Sequence, residues 1–159
     1  MDTATINRIN KAHPRVREFL LNQYKEINKR LPINCRLRFS HVYRSPDEQD
    51  ILYKQKPKVT NAKAWQSIHN YGLAFDIVIL YDKDNNGTFE TADFNTNDIN
   101  FKKVVSYFIN KGWEWGGNFK NFKDCPHFQM DFGNTWKTLK DKIDKGDYIE
   151  QNGIKYPLI

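Results

Sequence analysis

Apolar positions along the chain switch between helical and extended spacing. After Pro14, residues Val16, Phe19, Leu20, Tyr24, Ile27 and Leu31 recur every three or four positions. That spacing predicts an amphipathic helix with Pro14 in its first turn and Pro32 just past its end. Residues 36–43 alternate as a half-buried strand does. Ser45-Pro46-Asp47-Glu48 has the make-up of a cap and first turn, opening a helix through Tyr53. Residues 57–68 are polar and irregular and predict a loop. The stretch 75–81 is aromatic and β-branched, which predicts a central strand. Ile99, Val104, Val105, Phe108 and Ile109 favour a helix over 97–110, stopped by Lys111-Gly112. Residues 113–115 and 127–130 are short strand candidates, and a last helix is predicted over 135–143. Few strands with flanking helices, and no regular βαβ alternation, indicate an α+β fold around a mainly antiparallel sheet.

Length and composition narrow the class. The 159 residues suffice for one core and are short for two, and nothing reads as a repeat or linker, so a single domain over 1–159 is expected. An aromatic share of 14% sets the chain apart from disordered sequences. No run approaches the roughly 20 apolar residues of a membrane-crossing helix. The start, Met1-Asp2-Thr3-Ala4-Thr5-Ile6-Asn7, lacks a basic segment followed by an apolar one, so the protein is expected in the cytoplasm of the cell that makes it. The net charge of +6 favours anionic partners such as a bacterial wall. Its lysines are scattered, without a basic stripe or recognition helix, which argues against nucleic acid. Cys35 and Cys125 are far apart and outside any CxxC pattern, so no disulfide framework is expected, and Cys125 reads as a packing residue.

The chemistry concentrates in two segments. Ser67-Ile68-His69-Asn70-Tyr71-Gly72-Leu73-Ala74-Phe75-Asp76 carries one histidine and one carboxylate; Asp124-Cys125-Pro126-His127 carries another of each. Taken singly, a histidine is more often a hydrogen-bonded structural residue than a ligand, and His13 and His41 are read that way. Taken together, two imidazoles, one carboxylate and one spare carboxylate match a hydrolytic zinc site. Three protein ligands leave a coordination position for water, and the spare acid can take its proton. Gly72 lets the chain turn between the loop bearing His69 and the strand bearing Asp76. Alternation puts Ala74 and Asp76 on one face and Phe75 and Ile77 on the other. Pro126 keeps Asp124 outside the ladder that His127 enters.

The spacing HxxGxAxD, followed downstream by acid-x-x-His, resembles the zinc peptidases that include the VanX and VanY type D-alanyl-D-alanine peptidases and the L-alanyl-D-glutamate endolysins of phages. The hedgehog amino-terminal domain shares their fold. Further matching blocks are Tyr43-Arg44-Ser45 with Gln49 and Leu52-Tyr53, and Gly112-Trp113-Glu114-Trp115-Gly116-Gly117. The resemblance implies His69, Asp76 and His127 as zinc ligands and Asp124 as the catalytic acid/base. Arg44 is either a surface ion-pair residue or a group that binds a substrate carboxylate or oxyanion. Ser67 either hydrogen-bonds at the site or shapes its loop; Trp115 is a candidate pocket wall. Many D-alanyl-D-alanine members carry Glu where this chain has Asp124, and the shorter acid tilts the implied activity toward L-alanyl-D-glutamate cleavage in peptidoglycan.

A second metal signal occupies Asp82 to Asp93. Asp82, Asp84 and Asn86 stand at the first, third and fifth places of a twelve-residue calcium loop, Gly87 at the sixth, and Phe89 at the apolar eighth. Thr88 and Glu90 supply further oxygens, and Asp93 closes the loop where a glutamate is usual. The plain alternative is a polar turn after a strand.

These readings converge on a monomeric zinc endopeptidase of peptidoglycan, a phage-type endolysin acting on the wall after membrane breach. Two alternatives stand beside it: a D-alanyl-D-alanine carboxypeptidase or dipeptidase, and a non-catalytic zinc-stabilised binding module. The spare acid Asp124 speaks against the module, because a purely structural site has no use for a base.

Overall fold

The computed structural model describes residues 2–159. Helix α1 (Thr3–Ile9) leads into α2 (Pro14–Lys29), strand β1 (Cys35–His41) and α3 (Pro46–Lys54). A short 3-10 turn (Ile68–Tyr71) precedes the long strand β2 (Ala74–Tyr81), which is followed by β3 (Thr91–Asp93) and α4 (Ile99–Asn110). Strands β4 (Glu114–Trp115) and β5 (His127–Gln129), α5 (Trp136–Asp144) and the pair β6 (Tyr148–Gln151) and β7 (Ile154–Pro157) complete the chain. Among the described residues, no helix is long and apolar enough to cross a membrane.

The main sheet is antiparallel throughout, in the order β1-β2-β5-β4, with β3 also paired to β2. Strand β2 is its axis. One edge runs along β1; the other meets β5 through Ala74, Phe75 and Asp76, and β3 through Ile79, Leu80 and Tyr81. Alternation gives β2 two chemically different faces. On one, Phe75 lies between Phe39 and Phe128, with ring centroids 4.4 and 5.1 Å away and nearly parallel planes. Trp113 and Phe108 meet it edge-on at 4.8 and 4.9 Å. Offset-stacked and edge-on rings of this kind add attraction beyond the area they bury. Helix α2 covers this core with Val16, Leu20, Tyr24 and Ile27, and α4 with Phe101, Val104, Val105 and Phe108.

The predicted elements are present with small shifts at their ends. Pro14 does open α2, whose cap is His13: its Nδ1 accepts from the Arg15 amide at 3.0 Å. Ser45 and Glu48 form a reciprocal capping box on α3, and Thr135 caps α5. The expected strand over 36–43 ends instead at His41, and α4 starts at Ile99 because the Asp98 carboxylate takes the amides of Asn100 and Phe101. Three elements lacked a sequence expectation: α1, β3 and the β6–β7 hairpin. The hairpin seals a corner of the molecule. Tyr156 Oη donates to the Lys11 carbonyl at 2.8 Å, and His13 Nε2 donates to that of Pro157 at 2.7 Å.

Helix α1 is anchored by a small polar network. The Asp2 carboxylate, 5% exposed, accepts from both Arg38 Nε and Nη2 at 2.9 Å and from the Thr5 hydroxyl at 2.6 Å. The Asp2 amide donates to Tyr24 Oη at 3.0 Å. Burial opposes ionisation of Asp2, but the Arg38 and Thr5 hydrogen bonds outweigh it and hold its carboxyl at about 2 against 3.8. A carboxyl depressed on folding adds stability above its unfolded value and loses it as pH falls through the folded one. Thermal melting between pH 5 and about 2 is therefore expected to show a loss approaching 2 kcal/mol, centred between pH 4 and 2, that is absent in Asp2→Asn.

Candidate metal centre

Opposite the aromatic core, the register of the sheet lines up a row of side chains. Asp76 on β2 pairs with His127 on β5 and with His41 on β1, and directly paired residues share a face. His41 reaches this row through an irregularity in β1 between Phe39 and His41. The last member comes from outside the sheet. His69, on the 3-10 turn, is brought back over the row by Gly72, whose φ of +71° suits glycine. That turn is held in place because the His13 amide donates to the Gly72 carbonyl at 2.9 Å, and a β-carbon on Gly72 would fall 2.6 Å from the His13 nitrogen.

The ligand atoms form a compact triangle. His69 Nε2 lies 3.2 Å from Asp76 Oδ1, His127 Nδ1 lies 3.1 Å from the same oxygen, and the two ring nitrogens are 3.2 Å apart. Ligands about 2 Å from one tetrahedral ion are roughly 3.3 Å from each other, so the triangle has the dimensions of a shared zinc. Hydrogen bonds behind the rings select the nitrogens that face it. His69 Nδ1 donates to the Val42 carbonyl at 2.7 Å, which leaves the Nε2 lone pair facing the triangle. His127 Nε2 donates to Gln129 Oε1 at 2.9 Å, which leaves Nδ1. The Gln129 amide is itself oriented: its nitrogen faces Glu114 and Asp131 carboxylates at 3.4 and 3.3 Å, so its oxygen must turn to His127. Both histidines are buried, and donor type, spacing and tautomer all fit zinc.

Two charged side chains flank the triangle. Arg44 Nη2 is 3.9 Å from Asp76 Oδ2 and its Nη1 donates to Gln49 Oε1 at 3.1 Å. Asp124 Oδ2 is 3.9 Å from His127 Nδ1, on a side chain 53% exposed. Burial works against charge on Asp76, yet His69 and His127 hold its carboxyl well below the usual carboxylate range. Asp124 moves the other way: burial, joined by the negative charge of Asp76, raises its carboxyl. A base with a raised value is better matched to proton transfer near neutral pH.

The turn that carries Asp124 is braced by the segment at 115–117. Trp115 Nε1 donates to the Cys125 carbonyl at 2.6 Å, and the Asp124 amide donates to the Gly116 carbonyl at 3.0 Å. A β-carbon on Gly116 would fall 2.3 Å from the Asp124 oxygen. Trp115 thus spends its polar atom on supporting the turn. Ser67 shapes its loop: its hydroxyl accepts the His69 amide at 3.3 Å. Cys125 packs against the core as a free thiol, and Cys35 is free as well. His13 is a helix cap, whereas His41 stands on the metal row, 3.6 Å from Asp76 Oδ2.

Residues 82–93 fold as a turn at the far end of β2. The Asp82 carboxylate accepts the amides of Asn86 and Gly87 at 3.1 and 2.9 Å, Thr88 contacts both Asn86 and Glu90, and Asp93 lies in β3. Among the described residues, the acids of this loop do not gather into a close group of metal ligands, as His69, Asp76 and His127 do.

Residues 60–130, which include all three ligands and Asp124, match the family model described as D-alanyl-D-alanine carboxypeptidase. Over that segment the chain is similar to these peptidases. It is 43% identical over 95 residues to the peptidoglycan L-alanyl-D-glutamate endopeptidase CwlK of Bacillus subtilis (strain 168), an alignment covering 55% of this chain and 56% of CwlK. The chain therefore spans about half the length of the curated relative it matches. Its fold is similar to that of the Serratia marcescens L-Ala D-Glu endopeptidase ChiX, with a TM-score of 0.56 and 20% identity over 83% of this chain and 90% of ChiX. That likeness bears out the α+β architecture of this peptidase type.

Gln129 and the position of His41 beside Asp76 were not anticipated from the sequence. Gln129 follows His127 by two residues on a strand, which already places both on one face. His41 needed knowledge of the bulge, because regular alternation would put it out of register with Asp76. Removing the Gln129 carbonyl frees the His127 ring to rotate and change tautomer. Gln129→Leu is expected to weaken zinc about 10- to 100-fold in a competitive zinc titration, and His127→Ala to weaken it further.

Proposed function

We propose that the chain is a zinc endopeptidase of peptidoglycan that hydrolyses the bond between L-alanine and D-glutamate in the stem peptide. The observation that carries this reading is the triangle of His69, Asp76 and His127 with a separate carboxylate, Asp124, beside it. The similarity to the carboxypeptidase family model and to CwlK supports peptidoglycan as the substrate class. Asp124, shorter than the glutamate of many D-alanyl-D-alanine enzymes, favours the endopeptidase over the carboxypeptidase.

His69, Asp76 and His127 would hold a zinc ion, which when bound would supply Lewis acidity for the hydrolysis. The chain's own residues do the rest. Asp124 accepts a proton from the attacking water and returns it to the amine as the carbon–nitrogen bond breaks, so one carboxylate serves both halves of the hydrolysis. Arg44 keeps a guanidinium beside Asp76 and supports charge that develops on the carbonyl oxygen. The hydrogen bonds of Val42 and Gln129 keep both imidazoles aimed throughout. A phage-type lytic role as a monomer, with action on the wall after membrane breach, belongs to the same proposal and is in keeping with the net charge of +6.

Digestion of purified sacculi tests the reading, with the released ends identified by mass spectrometry. New L-alanyl carboxyls paired with D-glutamyl amines are expected; release of D-alanine alone assigns the carboxypeptidase instead. Asp124→Asn is expected to bind zinc as the native chain does while losing turnover by about three orders of magnitude. Near-native turnover would remove the base from Asp124.

We propose separately that the 82–93 loop binds calcium, on the strength of its donor spacing and the turn at Gly87. Calorimetric titration is expected to show one weak calcium site that Asp84→Ala removes with the zinc content unchanged. Absence of heat at millimolar calcium rejects the site.

A further inference from the structure

The metal row borders a cavity of about 420 Å³ whose walls include Arg8, His41, Arg44, Glu48 and Ile51. We propose that this cavity is an anion subsite, in which Arg8 and His41 together with Arg44 receive the free α-carboxylate of the residue on the amine side of the scissile bond. The inference rests on the peptidoglycan reading and assigns how such an enzyme distinguishes D-glutamate from its α-amide.

Position is the first argument. The cavity shares a wall with the ligand triangle: His41 Nδ1 and Arg44 Nη2 lie 3.6 and 3.9 Å from Asp76 Oδ2. In an L-alanyl-D-glutamyl substrate the α-carboxyl is attached to the carbon that bears the scissile nitrogen. With the alanyl carbonyl at the metal triangle, that carboxylate has to settle in an adjoining space, and this cavity adjoins it.

Charge is the second. Among the lining residues, two guanidiniums and an imidazole face one carboxylate, Glu48; the Asp76 carboxylate behind His41 and Arg44 is shared with His69 and His127. The Glu48 carboxylate is exposed and tied to the Ser45 amide at 2.8 Å as half of the α3 capping box, so it does not neutralise the cavity.

Arg8 is the third. It is half-buried on α1 and donates through Nη1 to the Phe39 carbonyl at 2.8 Å. Among the described residues it forms no ion pair with any Asp or Glu and no second hydrogen bond. A guanidinium carries five N–H donors in a planar fork suited to a carboxylate. Tying α1 to β1 needs only one of them, so the remaining donors and the charge are available to the cavity. His41 contributes likewise. Its ring nitrogens make no hydrogen bond with the described residues, and it offers an N–H in either tautomer. Ile51, largely exposed at the cavity edge, adds an apolar wall for the substrate's methyl or methylene groups.

The test uses the zinc-loaded protein and two synthetic stem peptides that differ only in whether the D-glutamyl α-carboxyl is free or carried as its amide. The native chain is expected to favour the free acid by about tenfold or more in kcat/KM, chiefly through KM. Arg8→Gln is expected to narrow that ratio to within about twofold, and Arg8→Lys to restore part of it. The ratio is read within one preparation, so loss of folded protein cancels. Equal cleavage of both peptides by the native chain overturns the subsite while leaving the endopeptidase in place, and so does an Arg8→Gln variant that keeps the native ratio. Cleavage of neither peptide overturns the endopeptidase reading, and the subsite with it.

Discussion

The register of β2 between β1 and β5 is the constraint on which the rest depends. Phe75 and Asp76 are neighbours that must face opposite ways: one completes the aromatic stack with Phe39 and Phe128, the other completes the triangle with His69 and His127. A slip of one residue would carry the carboxylate into the stack and the phenyl ring into the metal row. The hydrophobic cost of exposing that ring and the electrostatic cost of burying an unpaired carboxylate both oppose the slip. The core therefore positions the site without touching it.

Around that register, each donor is fixed from behind by a group with little freedom of its own. Val42 offers a strand-end carbonyl, Gln129 an amide oriented by two acids, and Gly72 a turn locked to the head of α2. The β6–β7 hairpin, distant in sequence, holds that same corner through Tyr156 and Pro157. The two histidines use different ring nitrogens, Nε2 from a turn and Nδ1 from a strand, because they approach the same point from different directions.

The sequence was informative where local chemistry decided the outcome. Pro14, Ser45, Thr135 and Gly112 mark helix ends through effects confined to a few residues, and they appear where expected. The candidate metal ligands were legible because three donors at special spacing stand out from background. Long-range features were not. The bulge that moves His41 onto the Asp76 row depends on pairing with β2, and the placement of Arg8 at the cavity depends on a helix docked over β1 through Asp2 and Arg38. The terminal hairpin did carry a local signal, Asn152-Gly153 between Tyr148, Ile149 and Ile154, Tyr156; both turn residues have positive φ, as a tight hairpin turn requires. In the calcium pattern the spacing is readable, while the fold shows Asp82 accepting amides of its own turn and Asp93 at the end of β3.

Gly116 ties the length of the acid to the shape of its support. With no side chain there, the carbonyl of Asp124 settles close against Gly116, and a β-carbon at that position would push on both the Asp124 turn and His127. From this turn the two-carbon acid holds its carboxylate 3.9 Å from His127 Nδ1, and one more methylene on the same backbone would displace it. Exchanging aspartate for glutamate in this scaffold is thus a change at two places, and a graft that moved the acid without its glycine would set the carboxylate at the wrong depth.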